Sequence, residues 1–251
     1  MHIITISNQK GGSAKTSVTV NLAAALVENN KKVLVIDLDP QGSCSSWLKC
    51  QNDGKGLFNV FTENTSIYDI VVKSRIDGLC VIPASPWLIG ADKTLATEAG
   101  AELILKNHLI RLPKEWDFCL IDTPPALGLL SLNALSAAHE VLIPVETRIM
   151  ALQGLMQLTK TIQTVRDRLN PTLDILGVLP CRVDKRTRLS LDVIKELKKR
   201  LGEKLLPIYI RESVKIAECP SFAEPITIYD PKGAGAEDFR SLAKLIIERK
   251  K

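Results

Sequence analysis

The chain has 251 residues, a formal net charge of +5 and 45% hydrophobic residues. This length allows one large α/β domain or two small ones, with a sizeable core. No apolar run approaches the roughly 18 residues that a membrane-spanning helix needs, and no basic segment followed by an apolar stretch opens the chain. The six cysteines lack C-x-x-C or zinc spacing, which favours free thiols. We therefore expect a single domain over residues 1–251, in the cytoplasm.

Apolar, β-branched runs alternate with helical patterns along the whole chain. This alternation is typical of βαβ units, so it predicts an α/β fold with a mostly parallel, twisted sheet and helices on both faces. Strands that are buried on both faces form continuous apolar runs, as in Val141-Leu142-Ile143. The first helix is predicted over about 16–30. The predicted strands are 2–7, 33–38, 79–83, 117–122, 140–145, 174–180 and 205–209.

A glycine-rich loop, residues 8–17, lies between the first predicted strand and the first helix. Gly11 and Gly12 let backbone N–H groups converge on an anion, and the helix N-terminus adds partial positive charge. Lys15 can then reach the β- and γ-phosphates of a nucleotide, while the Thr16 hydroxyl can ligate Mg²⁺. The loop therefore predicts an ATP site.

This loop departs from the general P-loop pattern G-x-x-x-x-G-K-[ST], because Gln9 and Ala14 stand at the two glycine positions. It resembles instead the deviant P-loop of the ParA/MinD superfamily, K-G-G-x-[GA]-K-T-[ST], whose additional lysine is Lys10 here. The methyl group of Ala14 is tolerable if its φ is negative and costly if it is positive. An ordinary glycine-rich turn with an exposed lysine is the alternative.

Two acidic residues, Asp37 and Asp39, stand at the end of the second predicted strand, ahead of Pro40. Because side chains alternate along a strand, both should share a face near its carboxyl end, where open α/β sheets bind ligands. Carboxylates there can hold the water molecules of Mg²⁺ and orient an attacking water. Solvated acids in an Asp-Pro turn are the alternative.

The predicted strand 117–122 is apolar and ends in Asp122, ahead of Thr123-Pro124-Pro125. This is the Walker B form, in which the carboxylate fixes Mg²⁺. A capping or turn role for Asp122 is the alternative. Three such motifs in this order, each at the carboxyl end of a strand, are harder to explain by structure alone than any one of them.

Two further helices can be placed by their ends. Ser66 is the predicted N-cap of a short helix over 67–73. A helix near 191–201 has Ser190 as its predicted N-cap and Gly202 after its last residue. Its predicted buried stripe consists of Leu191, Ile194, Leu197 and Leu201.

Positive charge is concentrated late in the chain. Residues 182–215 contain eleven Lys and Arg residues and five Asp and Glu residues, an excess of six. Only the family resemblance given below implies that this segment binds a nucleic acid, in which case neutralising phosphates would release counterions and make binding salt-dependent. A solvated helix face with charges for solubility is the alternative.

Together these motifs resemble those of the ParA/Soj-type partition ATPases of the deviant Walker A (ParA/MinD, SIMIBI) P-loop superfamily, along nearly the whole chain. The more specific matches are Asp-Pro-Gln-Gly at 39–42 and a tail with matches at 218–221, 229–231 and 235–237. The resemblance implies a P-loop NTPase fold, ATP and Mg²⁺ as cofactors, and slow hydrolysis of ATP to ADP and phosphate that a partner accelerates.

The resemblance also implies roles for individual residues. Lys10 would reach across a dimer interface to the partner's ATP, Lys15 would hold the phosphates in its own subunit, and Asp39 would position the attacking water. These three are the predicted catalytic residues. The predicted metal site consists of Thr16, Asp37 and Asp122. The predicted nucleotide-binding residues are Gly11, Gly12, Ser13, Ala14, Lys15, Thr16 and Ser17.

The partners that the resemblance implies are a second copy of the chain when ATP is bound, non-specific double-stranded DNA, and a ParB-like centromere-binding activator. The implied function is chromosome or plasmid partitioning, with the protein on the nucleoid when ATP is bound. The predicted DNA contacts are Arg186, Lys215, Arg188 and Lys198.

Two other functions remain open. A MinD-like, membrane-associated positioning ATPase needs an amphipathic basic tail beyond the last core helix. The apolar spacing from Phe239 to Ile246 is more simply explained by a final helix that packs on the sheet, so we expect no stable membrane association. A synthetase or an iron-protein reductase of the same fold is the third possibility, although the cysteines lack an obvious cluster-ligating spacing.

Overall fold

Seven strands form one sheet in the order β3-β4-β2-β5-β1-β6-β7. The structure, a computed structural model, describes residues 1–52, 54–147 and 151–250, and the side chains of these except 151–153. Neighbouring strands of the described sheet are parallel, except that β3 is antiparallel to β4. The strands are β1 (His2–Ile6), β2 (Val33–Asp37), β3 (Val72–Lys73), β4 (Leu79–Ile82), β5 (Phe118–Asp122), β6 (Glu140–Glu146) and β7 (Asp174–Cys181).

Helices connect the strands and cover both faces of the sheet. None of those in the described residues is long and apolar enough to cross a lipid bilayer. The α-helices are α1 (Lys15–Glu28), α2 (Ser43–Trp47), α3 (Gly56–Thr62), α4 (Ala91–Thr94), α5 (Ile104–Ile110), α6 (Leu129–Ala137), α7 (Ala151–Arg168), α8 (Arg188–Leu201), α9 (Val214–Phe222), α10 (Ile226–Tyr229) and α11 (Ala234–Arg249).

Each face of the sheet has its own apolar core. Ile3 and Ile36 point to one face and pack with residues of α5, α6 and α7. Ile4 and Val35, their neighbours along the strands, point to the other face and pack with residues of α1 and α11. The prediction of a mostly parallel α/β sheet with helices on both faces is therefore confirmed.

The strand register aligns the ends that carry the predicted motifs. Ile6 at the end of β1 pairs with Asp122 at the end of β5. Asp37 at the end of β2 pairs with the same Asp122. Because all three strands are parallel, the loops that follow them meet at one edge of the sheet, as the sequence predicts.

Two predictions about secondary structure, one strand and one helix, were wrong. Residues 205–209 do not form a strand; this segment follows β7 through separate hydrogen bonds, from Leu206 N to Val178 O and from Ile210 N to Pro180 O, each under 3.0 Å. Pro207 lies between them and has no N–H to offer a ladder. The predicted helix 67–73 is only a single 3₁₀ turn over Ile67–Ile70, and β3 follows it. Ser66 makes no side-chain capping bond to this turn.

The ends of α8 correct another prediction. Its N-cap is Thr187, whose hydroxyl accepts a hydrogen bond from Ser190 N, so that Ser190 lies inside the first turn. Leu191 is 48% exposed rather than buried, whereas Leu197 is fully buried. The helix ends at Gly202, as predicted, with a φ of +55°.

Candidate functional site

The loop between β1 and α1 forms an open cradle. Gly12 has a φ of +74°, and ideal Cβ atoms built on Gly11 and Gly12 would meet nothing within 4 Å. Ala14 precedes α1 with a φ of +68°. Because this φ is positive, the methyl group of Ala14 is costly here. A left-handed conformation costs a non-glycine residue about 1–2 kcal/mol. Backbone strain is therefore present next to Lys15.

Lys15 is held inside this cradle. Its side chain is largely buried, and Nζ donates a hydrogen bond to the Lys10 carbonyl oxygen at 3.4 Å. Burial lowers the pKa of Lys15, while the carboxylates of Asp122 and Asp39 oppose this shift. The ammonium group is thus placed among carboxylates at the edge where the strands end.

Asp122 and Asp37 lie side by side and are both fully buried. The Thr16 hydroxyl donates to Asp122 Oδ2 at 2.7 Å. Burial raises the pKa of Asp122, and the neighbouring Asp37 carboxylate raises it further. A divalent cation would relieve this crowding of negative charge, and a threonine hydroxyl beside carboxylates offers the oxygen ligands that Mg²⁺ prefers.

Asp37 is fixed by α2. Its Oδ2 accepts hydrogen bonds from Ser45 N at 2.8 Å and from Ser45 Oγ at 2.6 Å. Burial raises the pKa of Asp37, and the bonds from Ser45 oppose that shift. Asp39 lies beyond the end of β2 in a turn, where its carboxylate accepts a hydrogen bond from Gln41 N at 3.0 Å. Asp39 is partly exposed, so a water molecule can reach it.

Lys10 points away from the cradle. Its Nζ lies 3.6 Å from Glu146 Oε2, at the end of β6, and its side chain is 41% exposed. Glu146 also accepts a hydrogen bond from Arg182 NH1 at 2.8 Å. The loop lysine is thus part of a cluster of charges at the neighbouring strand ends.

A cavity of about 230 Å³ opens beside the start of α1. Its walls are mostly apolar, and Arg211, Glu212 and Ser213 supply polar groups at its rim. The remaining lining residues are Ala14, Ser17, Val18, Cys181, Arg182, Ile210, Ile216, Ala217, Pro220 and Phe239. The cavity is therefore continuous with the phosphate cradle through Ala14 and Ser17.

Comparisons with known proteins agree with this geometry. A model of the AAA domain family matches residues 1–175. The sporulation initiation inhibitor protein Soj of Bacillus subtilis is 40% identical over 244 residues, which cover 96% of each chain. The chromosome partitioning protein ParA of Myxococcus xanthus is 38% identical, with 98% of this chain and 88% of that protein covered.

The chain belongs to the ParA/Soj family of partition ATPases.

A solved structure also resembles this family member closely. Cobyrinic acid a,c-diamide synthase from Mycobacterium smegmatis, crystallised with an ATP analog and magnesium, has a TM-score of 0.88 and 32% identity. The match covers all of this chain and 96% of the other. The prediction of a ParA/Soj-type P-loop fold is confirmed.

The predicted DNA contacts of this ParA/Soj family member differ in their surroundings. The Arg186 guanidinium folds back on Asp184 through two hydrogen bonds of 2.9 Å. Lys215 Nζ lies 3.4 Å from Glu218 Oε2 and over the ring of Tyr229. Both cations are thus paired within the chain.

Arg188 and Lys198 lie on the exposed surface of α8. Neither makes an ion pair with any residue in the part of the chain that the structure describes. They are therefore the predicted DNA contacts whose charges are most available to a partner.

Sequence reasoning missed several residues of the site. Ser45 contacts the predicted residue Asp37 from α2, eight residues further along the chain. Glu146 contacts the predicted residue Lys10 and is distant from it in sequence. Glu146 had a detectable signal, because it is a carboxylate at the end of a predicted strand. The cavity wall at 210–213 had none, since only the fold brings this segment beside α1.

Proposed function

We propose that this protein is a chromosome or plasmid partition ATPase whose ATP-bound homodimer binds DNA non-specifically and releases it after a partner stimulates hydrolysis. The observation that carries the proposal is the meeting of Lys15, Thr16, Asp37 and Asp122 at one edge of the sheet. A lysine, a hydroxyl and paired carboxylates are the groups that a magnesium-bound triphosphate requires. Their order along the chain is that of the partition ATPases.

The cradle fits a triphosphate. Gly11 and Gly12 leave space above the loop, and Lys15 brings a positive charge to it. The buried Ser13 Oγ has no hydrogen-bond partner among the described residues. Buried polar atoms rarely remain unpaired, so a ligand oxygen is a natural partner.

Thr16 and Asp122 would hold Mg²⁺, with Asp37 next to them. When bound, this ion neutralises charge on the β- and γ-phosphate oxygens. Asp39, which is reachable by solvent, would orient the attacking water. Lys15 would stabilise the charge that develops on the phosphates, and the low-dielectric surroundings strengthen that interaction.

The cavity beside Ser17 would take the adenine base. A purine is flat and largely apolar on its faces, which suits walls formed by side chains such as Val18 and Ile216. Its polar edge would meet the rim at 210–213. This placement puts the sugar above the start of α1 and the phosphates in the cradle.

Dimerisation would change the partner of Lys10. Its ion pair with Glu146 is 3.6 Å long and its side chain is partly exposed. The buried Glu146 carboxylate also accepts a hydrogen bond from Arg182, so it would keep a positive partner when Lys10 exchanges it for a phosphate of the second subunit. We propose that this exchange links ATP binding to dimer formation. The dimer would then present two copies of α8 to DNA.

Binding to non-specific duplex DNA tests the proposal. It should be measured without nucleotide and with ADP, ATP or a slowly hydrolysed ATP analogue, at two salt concentrations. The variants are Lys10→Ala and the double variant Arg188→Glu/Lys198→Glu. Lys244→Glu, an exposed lysine on α11 outside the basic segment, is the matched charge control.

We expect salt-sensitive binding that needs ATP or its analogue, is lost in Lys10→Ala and in the double variant, and persists in Lys244→Glu. A wild-type protein that binds ATP but ignores DNA in every nucleotide state would contradict the proposal. Sedimentation with anionic liposomes and ATP would then test the MinD-like alternative.

A further inference from the structure

Asp238, in α11, makes a three-point contact with Arg211. Its Oδ2 accepts hydrogen bonds from Arg211 N at 2.9 Å and from Arg211 Nε at 2.8 Å. Its Oδ1 accepts one from NH2 at 2.6 Å. The Asp238 side chain is only 9% exposed. A bidentate pair with a buried carboxylate and an additional backbone bond fixes both the side chain and the main chain of Arg211.

Arg211 belongs to the rim of the cavity, residues 210–213. The opposite edge of this segment is held by the extension of β7, where Val183 N donates to Ile210 O and Glu212 N donates to Val183 O, both at 3.1 Å. The rim is therefore fixed from two sides, by the sheet and by Asp238.

The neighbour of Asp238 strengthens this arrangement. Phe239 is fully buried and lines the same cavity. One turn of α11 thus supplies both a wall of the cavity and the carboxylate that holds the rim. The helix itself packs against α1, which follows the cradle directly.

We infer that Asp238 is a positioning residue for the nucleoside part of ATP and acts through Arg211. The inference rests on the proposed function, because it places the base in this cavity. Asp238 touches neither the cradle nor the metal site. Loss of the Asp238 carboxylate should therefore weaken the contribution of the base and sugar to the affinity for ATP while leaving the contribution of the phosphates unchanged.

A second ion pair on the same helix provides the control. Arg240 makes two hydrogen bonds to Glu28, of 2.7 and 3.0 Å, at the end of α1. Neither residue lines the cavity. Glu28→Gln therefore removes a comparable bidentate pair that has no contact with the rim. The arginine of this pair, Arg240, lies two residues after Asp238 in α11.

The test compares equilibrium binding of ATP and of inorganic tripolyphosphate, both with Mg²⁺, by titration calorimetry on the full chain. The variants are Asp238→Asn and Arg211→Lys, which both remove the bidentate geometry, and Glu28→Gln. Asp238→Asn changes the acceptor of this contact and Arg211→Lys changes its donor. One variant therefore remains informative if the other fails to fold.

We expect Asp238→Asn and Arg211→Lys to weaken ATP binding about tenfold or more, as loss of a charge-assisted bond implies, and to change tripolyphosphate binding by less than about twofold. In turnover, KM for ATP should rise while kcat stays near the wild-type value. Glu28→Gln should change neither ligand's affinity.

An equal loss for both ligands, or an unchanged ratio of ATP to tripolyphosphate affinity, would overturn the inference. So would a Glu28→Gln variant with the same selective loss. If wild type binds the two ligands equally, the nucleoside contributes nothing and the inference also fails. ATP-dependent DNA binding, measured separately, would still decide the proposed function.

Discussion

The hydroxyl of Thr16 donates a 2.7 Å hydrogen bond to Oδ2 of Asp122, which joins the first turn of α1 to the end of β5. Two of the three predicted metal ligands are therefore already in contact. The third, Asp37, pairs with Asp122 across the sheet. The candidate metal site is thus assembled by the strand register together with the first turn of one helix.

Thr16→Ala should reduce ATP hydrolysis about 100-fold at a fixed Mg²⁺ concentration, because it removes a predicted metal ligand and the hydrogen-bond partner of Asp122. Thr16→Ser keeps the hydroxyl and is the matched control, with activity near that of wild type. A magnesium titration of the ATPase rate measures both. Equal activity of the alanine and serine variants would show that the hydroxyl has no role at the metal.

Ala14→Gly should stabilise the protein by about 0.5–1 kcal/mol. The left-handed φ of +68° costs alanine about 1–2 kcal/mol, and the greater freedom of glycine in the unfolded chain offsets part of the gain. Urea unfolding measures the difference. Ala24→Gly, at a buried right-handed position inside α1, should destabilise the protein instead. A loss of stability in both variants would contradict the strain at Ala14.

Leu197→Ala should lower the free energy of unfolding by about 2–5 kcal/mol, because Leu197 is fully buried on the inner face of α8. Leu191→Ala should change it by less than about 0.5 kcal/mol, since that side chain is 48% exposed. Chemical denaturation of the two variants gives the comparison directly. Similar losses of stability in the two variants would support the original prediction that both leucines are buried.

Stability should fall in acid through His108. Burial lowers the pKa of His108 below its ordinary value of 6.5, and Arg111 lowers it further. The unfolded chain therefore takes up the proton first, so the contribution of neutral His108 is complete above pH 6.5 and is lost as pH falls below it.

His108→Leu, which cannot titrate, should lose less stability than wild type between about pH 7 and about pH 5. Thermal or urea unfolding at both pH values measures this. Parallel curves for the two proteins would exclude a role for His108, and the change would then have to come from other groups.

The fold, and the meeting of the residues of the candidate metal site, were predictable because they follow local rules. Apolar runs indicate the strands, and the rule that ligands bind at the carboxyl ends of parallel strands identifies Asp37 and Asp122. The cap of α8 was misplaced because Thr187 and Ser190 are both suitable hydroxyl residues and sequence spacing does not choose between them. Asp238 was missed because its partner, Arg211, is brought to it only by the packing of α11.

The two edges of the sheet carry a consequence for self-association. At one edge, β3 is only two residues long. At the other edge, backbone groups of the segment 205–211 form hydrogen bonds with some of the N–H and C=O groups of β7, and Pro207 interrupts this pairing. In the part of the chain that the structure describes, such edges offer no continuous row of free N–H and C=O groups to a strand of another molecule. The protein is thereby protected against aggregation by strand addition, and its copies can meet through side-chain surfaces without competition from edge pairing.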